Sequence, residues 1–165
     1  MILIYKRRGA SYFYCMQYIR AHEILDVEDI RHGVISRSDT STVGEFHFIP
    51  RYCKDSGCDC RKSEVYVLHE GEVVAVIDYG WETEAYYSKW SRENENAGRC
   101  EVSGVTITSK NSKYDEEALL GLFNRLMNEE WKLRMISHYN SVKKFYKREQ
   151  ERGYKPWQRL KVKAV

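Results

Sequence analysis

A chain of 165 residues, 42% hydrophobic and 31% charged with net charge +3, has the composition of a globular domain and not of a disordered segment. That length holds one ordinary core, two full domains would be cramped, and no run of about 18 apolar residues offers a membrane-spanning helix. The opening Met1–Arg8 sets its charge behind too few apolar residues for a secretory signal, so the expected setting is cytoplasmic and reducing, where five cysteines serve as thiols or metal ligands and not as disulfides.

Residues 2–6 predict a first strand, and the apolar spacing of Phe13, Met16, Tyr18, Ile19 and either Ile24 or Leu25 predicts a helix over 10–25. A short turn follows over 27–32, ended by Gly33, and the small polar residues 36–44 predict a loop. Residues 45–49 alternate as a strand that Pro50 should stop. The β-branched runs 64–69 and 72–79, separated by Glu70-Gly71, are a hairpin signature, with Val65, Val67, Val74, Val76 and Ile77 as its buried face. A helix over 83–91 with Thr83 as its cap, a charged loop over 92–98 and a strand over 100–108 come next.

Ser112 and Asp115 have the spacing of a capping box, and Leu119, Leu122, Phe123 and Leu126 then mark one helix face. A second apolar series, Leu133, Ile136, Tyr139, Val142 and Tyr146, is out of phase with the first. Two helices are therefore expected, about 114–128 and 130–152, the second ended by Gly153. The expected fold is α+β: a small antiparallel sheet of four to six strands packed against two or three helices, with a long C-terminal helical region. Residues 1–152 form a single domain in this reading, and 153–165 a basic C-terminal tail.

The most specific chemistry lies in Tyr52-Cys53-Lys-Asp-Ser-Gly57-Cys58-Asp59-Cys60-Arg61. Three thiols in one glycine-containing loop suit a structural zinc ion, which takes four tetrahedral thiolate or imidazole ligands. Redox pairing is less suited, since a Cys58–Cys60 disulfide would be strained. His47, His69, Cys100 and His138 are candidates for the fourth ligand. His138 is favoured because a histidine inside an apolar series needs a polar partner, although backbone hydrogen bonding would meet that need equally.

The run YCKDSGCDCR, the hairpin reaching Trp81-Glu82, the aromatic Tyr86-Tyr87-Ser-Lys-Trp90 and the late His138-Tyr139 together resemble an uncharacterised prokaryotic family with a Y-C-x4-C-D-C-R motif, over about residues 46–146. That resemblance implies no activity. It implies that the cysteines, Trp81-Glu82 and His138-Tyr139 belong to one constellation.

Two other readings compete. Asp78, Glu82 and Glu84 gather where a strand gives way to a helix, and carboxylates there suit a metal-dependent hydrolase; acids near a helix N-terminus also simply favour its dipole. From Trp131 to Val165 there are eleven basic and two acidic residues, net +9, which leaves −6 for residues 1–130. With interleaved aromatics, Lys143, Lys144, Lys147 and Arg148 suit a nucleic-acid-binding regulator, or a solvated helix face. The sequence favours a binding or interaction module with a protein partner over an enzyme.

Overall fold

The computed structural model describes residues 18–25, 27, 29–36, 42–93 and 103–153. The fold is α+β, as the residue pattern predicts: an antiparallel six-stranded sheet with three α-helices. The strands are β1 (Tyr18–Arg20), β2 (Arg31–Ile35), β3 (Gly44–Cys53), β4 (Lys62–His69), β5 (Glu72–Gly80) and β6 (Gly104–Lys110). The helices are α1 (Glu84–Glu93), α2 (Glu116–Leu126) and α3 (Glu129–Glu151). No described helix is long and apolar enough to cross a membrane.

The expected hairpin forms the middle of the sheet. Val65 faces Ile77 and Val67 faces Ala75 across β4 and β5. Glu70 and Gly71 turn the chain with φ of 51° and 82°, the pair of left-handed conformations that a two-residue hairpin needs. Val65, Val67, Val74 and Ile77 are buried, whereas Val76 is only half-buried, because successive strand residues point to opposite faces.

β3 runs straight through Pro50 instead of stopping there. One side of β3 pairs with β4 over His47–Tyr52. The other side is shared by two short strands, β2 against residues 44–48 and β1 against residues 51–53. Pro50 falls in the gap between them, where the N–H that proline lacks is not required.

Two further expectations fail for tertiary reasons. The end of the helix expected over 10–25 is instead β1 followed by a 3-10 turn over Ala21–Glu23, since pairing with the far end of β3 overrides the local apolar spacing; residues 1–17 lie outside the described residues. Gly33 does not end a turn but sits inside β2, opposite Phe46. A Cβ there would come within 2.8 Å of Leu122 Cδ1, so the glycine admits α2 onto the strand.

Three expectations nearby hold more closely. Thr83 Oγ1 accepts from Tyr86 N–H ahead of α1. The break between α2 and α3 falls where the two apolar series change phase, and Asn128 caps α3 by accepting from Trp131 N–H at 2.8 Å. Asp115 alone caps α2, through Ala118 N–H at 2.8 Å, while Ser112 lies in the preceding turn and is no part of a capping box. Most of the charged loop, Cys100 and the tail from 154 lie outside the described residues.

α2 and α3 cover one face of the sheet. Phe123 is the hinge of that packing, with its ring 5.7 Å from Phe48, 5.9 Å from Tyr79 and 5.6 Å from Trp131. Ile77, paired with Val65 in the middle of the sheet, is fully buried. Truncating Ile77→Ala should therefore cost about 2–5 kcal/mol of unfolding free energy, measured by urea denaturation at unchanged m-value; a loss under about 0.5 kcal/mol would place the core elsewhere.

Candidate metal centre

Residues 54–61 carry the chain from the end of β3 to the start of β4. Asp55 organises the reversal: its carboxylate accepts from Gly57 N–H at 2.9 Å and its carbonyl from Cys58 N–H at 3.2 Å. Arg61 closes the loop at φ 43°, a left-handed conformation that costs a residue with a side chain about 1–2 kcal/mol. Its neighbours hold it there. Its N–H donates to Tyr139 Oη at 3.2 Å, its carbonyl accepts from Tyr87 Oη at 2.6 Å, and its guanidinium reaches Asp59 at 3.0 Å and Glu82 at 3.1 Å. The same guanidinium lies 4.7 Å from the Tyr86 ring centroid.

This geometry gathers the three thiols. The Sγ atoms of Cys53, Cys58 and Cys60 lie within 4.8 Å of one another. Cys53 and Cys60 are buried, and Cys58 is half-buried. Zinc–sulfur bonds of about 2.3 Å in a tetrahedron place sulfurs about 3.8 Å apart, so a metal ion fits with a small side-chain adjustment. The group holds no imidazole or carboxylate among the described residues.

A cation stands over it. Lys143 on α3 donates to the Asp55 carbonyl, within electrostatic reach of the three cysteines. Burial alone would lower its pKa, but the adjacent Cys53, Cys60 and Cys58 outweigh burial and raise it, keeping the ammonium charged. Tyr139, one helical turn earlier, lies 5.1 Å from the Lys143 ammonium and donates to the Cys58 carbonyl at 3.4 Å. Burial, then the charge of Cys60, pushes the Tyr139 hydroxyl far up and keeps it neutral. Trp81 packs edge-on to Tyr139 at 5.2 Å, so Trp81, Glu82 and Tyr139 all border the cysteine loop.

The structure brings together three of the four expected ligands. His138 stands elsewhere, with Nδ1 2.8 Å from Asp29 Oδ2, which also accepts from Tyr52 Oη at 2.6 Å. Tyr52 and Cys53 are successive strand residues and point to opposite faces, and His138 meets the first of them. His47 precedes Cys53 by six strand residues, about 20 Å along β3, and His69 bonds the Glu45 carbonyl at 2.8 Å. Cys100 lies outside the described residues.

The carboxylates considered for hydrolysis are engaged separately. Asp78 is paired with Lys62 at 2.7 Å, both side chains largely buried, and Glu82 is held by Arg61. Glu84 is exposed at the start of α1. They form no metal-binding group among the described residues. In the basic segment, Lys144, Lys147 and Arg148 face solvent, while the half-buried Lys143 turns to the Asp55 carbonyl of the cysteine loop.

No known family, curated protein or solved structure matches the chain. Sequence reasoning missed Lys143 as part of the site. The available signal was its spacing: four residues beyond Tyr139, it shares that residue's helix face.

Buried tyrosines give the fold an alkaline limit. Burial, and then Asp29, raises Tyr52 well above its ordinary value of about 10; burial and Glu64 raise Tyr66; burial and Glu129 raise Tyr79. The unfolded chain therefore loses these protons first. Their contribution is complete below about pH 10 and is lost as pH rises through the folded values. Thermal melts across the alkaline range should show Tm falling above about pH 10, with phenolate absorbance appearing together with unfolding; phenolate formation at an unchanged Tm would contradict this.

Proposed function

We propose that this chain is a small interaction module whose cysteine loop is stapled by a structural zinc ion bound through Cys53, Cys58 and Cys60. The observation that carries the reading is the convergence of three thiols within 4.8 Å, two of them buried. Soft thiolates select thiophilic ions, and zinc is a redox-silent member of that class. A structural role suits the position. The loop meets α3 through Tyr139, Lys143 and a Ser56–Gln150 hydrogen bond, and meets α1 through Tyr86 and Tyr87. An ion at the thiols would tie the end of β3 to the start of β4 and hold these helix contacts in register.

Protein purified without added metal should contain about one zinc per chain by elemental analysis. Chelation should lower Tm, since an ion present at 100 times its Kd contributes about 2.7 kcal/mol. Replacing Cys60→Ser should abolish retention of the metal. Metal content near zero in native protein, with Cys53, Cys58 and Cys60 freely alkylated, would end the proposal.

A further inference from the structure

We propose that Cys58 is a site of reversible oxidation by hydrogen peroxide, closing a disulfide with Cys53 that expels the ion from the centre. The proposal rests on the metal-binding reading and deepens it by giving the same thiols a second, ion-free state. Cys58 is half-buried, while Cys53 and Cys60 are buried. The residues on either side of Cys58, Gly57 and Asp59, line a cleft of about 300 Å³ together with Tyr86 and Trp90 of α1. The loop therefore carries its most accessible thiol beside open space and keeps the other two behind it, with all three sulfurs within 4.8 Å of one another. A reachable thiol with a second thiol close by is the arrangement in which the first oxidation product is captured as a disulfide.

Cys53 is the partner that the geometry favours. Cys58 and Cys60 are separated by a single residue, a spacing that strains a disulfide. Cys60 also directly precedes Arg61, whose N–H is held by Tyr139 and whose carbonyl is held by Tyr87, so its backbone has little freedom to approach a new partner. Between Cys53 and Cys58 the chain already turns back on itself, with Cys58 N–H donating to the Asp55 carbonyl at 3.2 Å. The ring that this disulfide closes contains Asp55 and Ser56, which meet Lys143 and Gln150 of α3. Oxidation acts on the part of the loop that touches the end of the longest helix.

The chemistry balances. The Cys58 thiolate attacks one peroxide oxygen, the O–O bond breaks, and with one proton taken up the products are a sulfenic acid and water. The Cys53 thiolate then attacks the sulfenic sulfur. The S–S bond forms as the S–O bond breaks, and the departing hydroxide takes up a proton to become water. Two thiolates, one peroxide and two protons become one disulfide and two waters. The sulfurs lose two electrons, the peroxide gains them, and the ion keeps its charge. A centre left with the thiolate of Cys60 alone does not retain zinc.

The test treats the full chain, as purified with its zinc, with hydrogen peroxide. A chromogenic chelator follows zinc, and alkylation with tryptic mapping follows each thiol. Zinc release should track loss of the Cys53 and Cys58 thiols, and the peptide Tyr52–Lys54 should become linked to Asp55–Arg61 through Cys58. Dithiothreitol with added zinc should restore the metal content. Cys58→Ser should abolish the linkage, whereas Cys60→Ser, which keeps both partners, should still form it. If either variant does not fold, the wild-type map decides. Zinc retained under peroxide that oxidises glutathione in a parallel sample, or a disulfide that includes Cys60, would overturn the proposal while leaving the metal site standing. Absence of zinc from the untreated chain would instead overturn the metal reading itself.

Discussion

The reversal between Cys53 and Lys62 is the constraint on which the rest of the structure depends. It must return β4 alongside β3 with Arg51 facing Glu64 and Tyr52 facing Ser63. It does so with a polar loop that buries almost no aliphatic side chain, so hydrophobic burial does not hold it. Its order comes from specific bonds instead. The left-handed Arg61 is fixed by Tyr139, Tyr87, Asp59 and Glu82, which belong to α3, α1, the loop itself and the end of β5. The three thiols collect at the same point because the turn that satisfies Arg61 also folds Cys58 back between the two strand ends. Strain at one residue and chemistry at three others have a common cause.

Charge on the face of the sheet turned away from Tyr52 reinforces the register. Arg51, Glu64 and Asp78 are successive cross-strand neighbours on β3, β4 and β5, and Lys62 bonds Asp78. Burial, foremost, and then Asp78 raise the Glu64 pKa against the opposing pull of Arg51 and Lys62. Such partly buried pairs gain little net stability, because desolvation offsets their attraction. Their effect is on alternatives. A one-residue slip of β4 would turn Lys62 and Glu64 toward the aromatic face of Phe48 and Tyr52, away from Arg51 and Asp78. The register that brings Cys60 to Cys53 is thus protected by groups that take no part in the site.

The legible parts of this fold were those that local chemistry decides. Glu70-Gly71 between β-branched runs fixed the hairpin, and the phase change near Asn128 separated α2 from α3, because turn conformation and helix periodicity are properties of neighbouring residues. The illegible parts were decided by distant ones. Tyr18–Arg20 carries helical spacing yet is a strand, since it completes the edge of β3. Pro50 reads as a stop, and only the gap between two short partner strands makes it harmless. The site divides in the same way. Three thiols within eight residues announce a metal-sized cluster from sequence alone. Lys143 lies about eighty residues further on, and its turn toward them depends on how α3 crosses the sheet.

That crossing also explains why His138 and Tyr139 serve different ends. Adjacent helix residues are rotated by about 100°. His138 consequently faces Asp29 and Tyr52, while Tyr139, and Lys143 one turn later, face the cysteine loop. The helix clamps the β1–β2 region on one flank and the loop on the other. Beyond Val142 its contacts with the loop pass through Lys143, through Tyr146 beneath Lys54, and through Gln150 with Ser56. The last two turns of α3 therefore dock on the loop that carries the three thiols. The segment between Cys53 and Cys58 supplies these contacts, through Lys54, Asp55 and Ser56, to a helix end that displays Lys144, Lys147 and Arg148 to solvent.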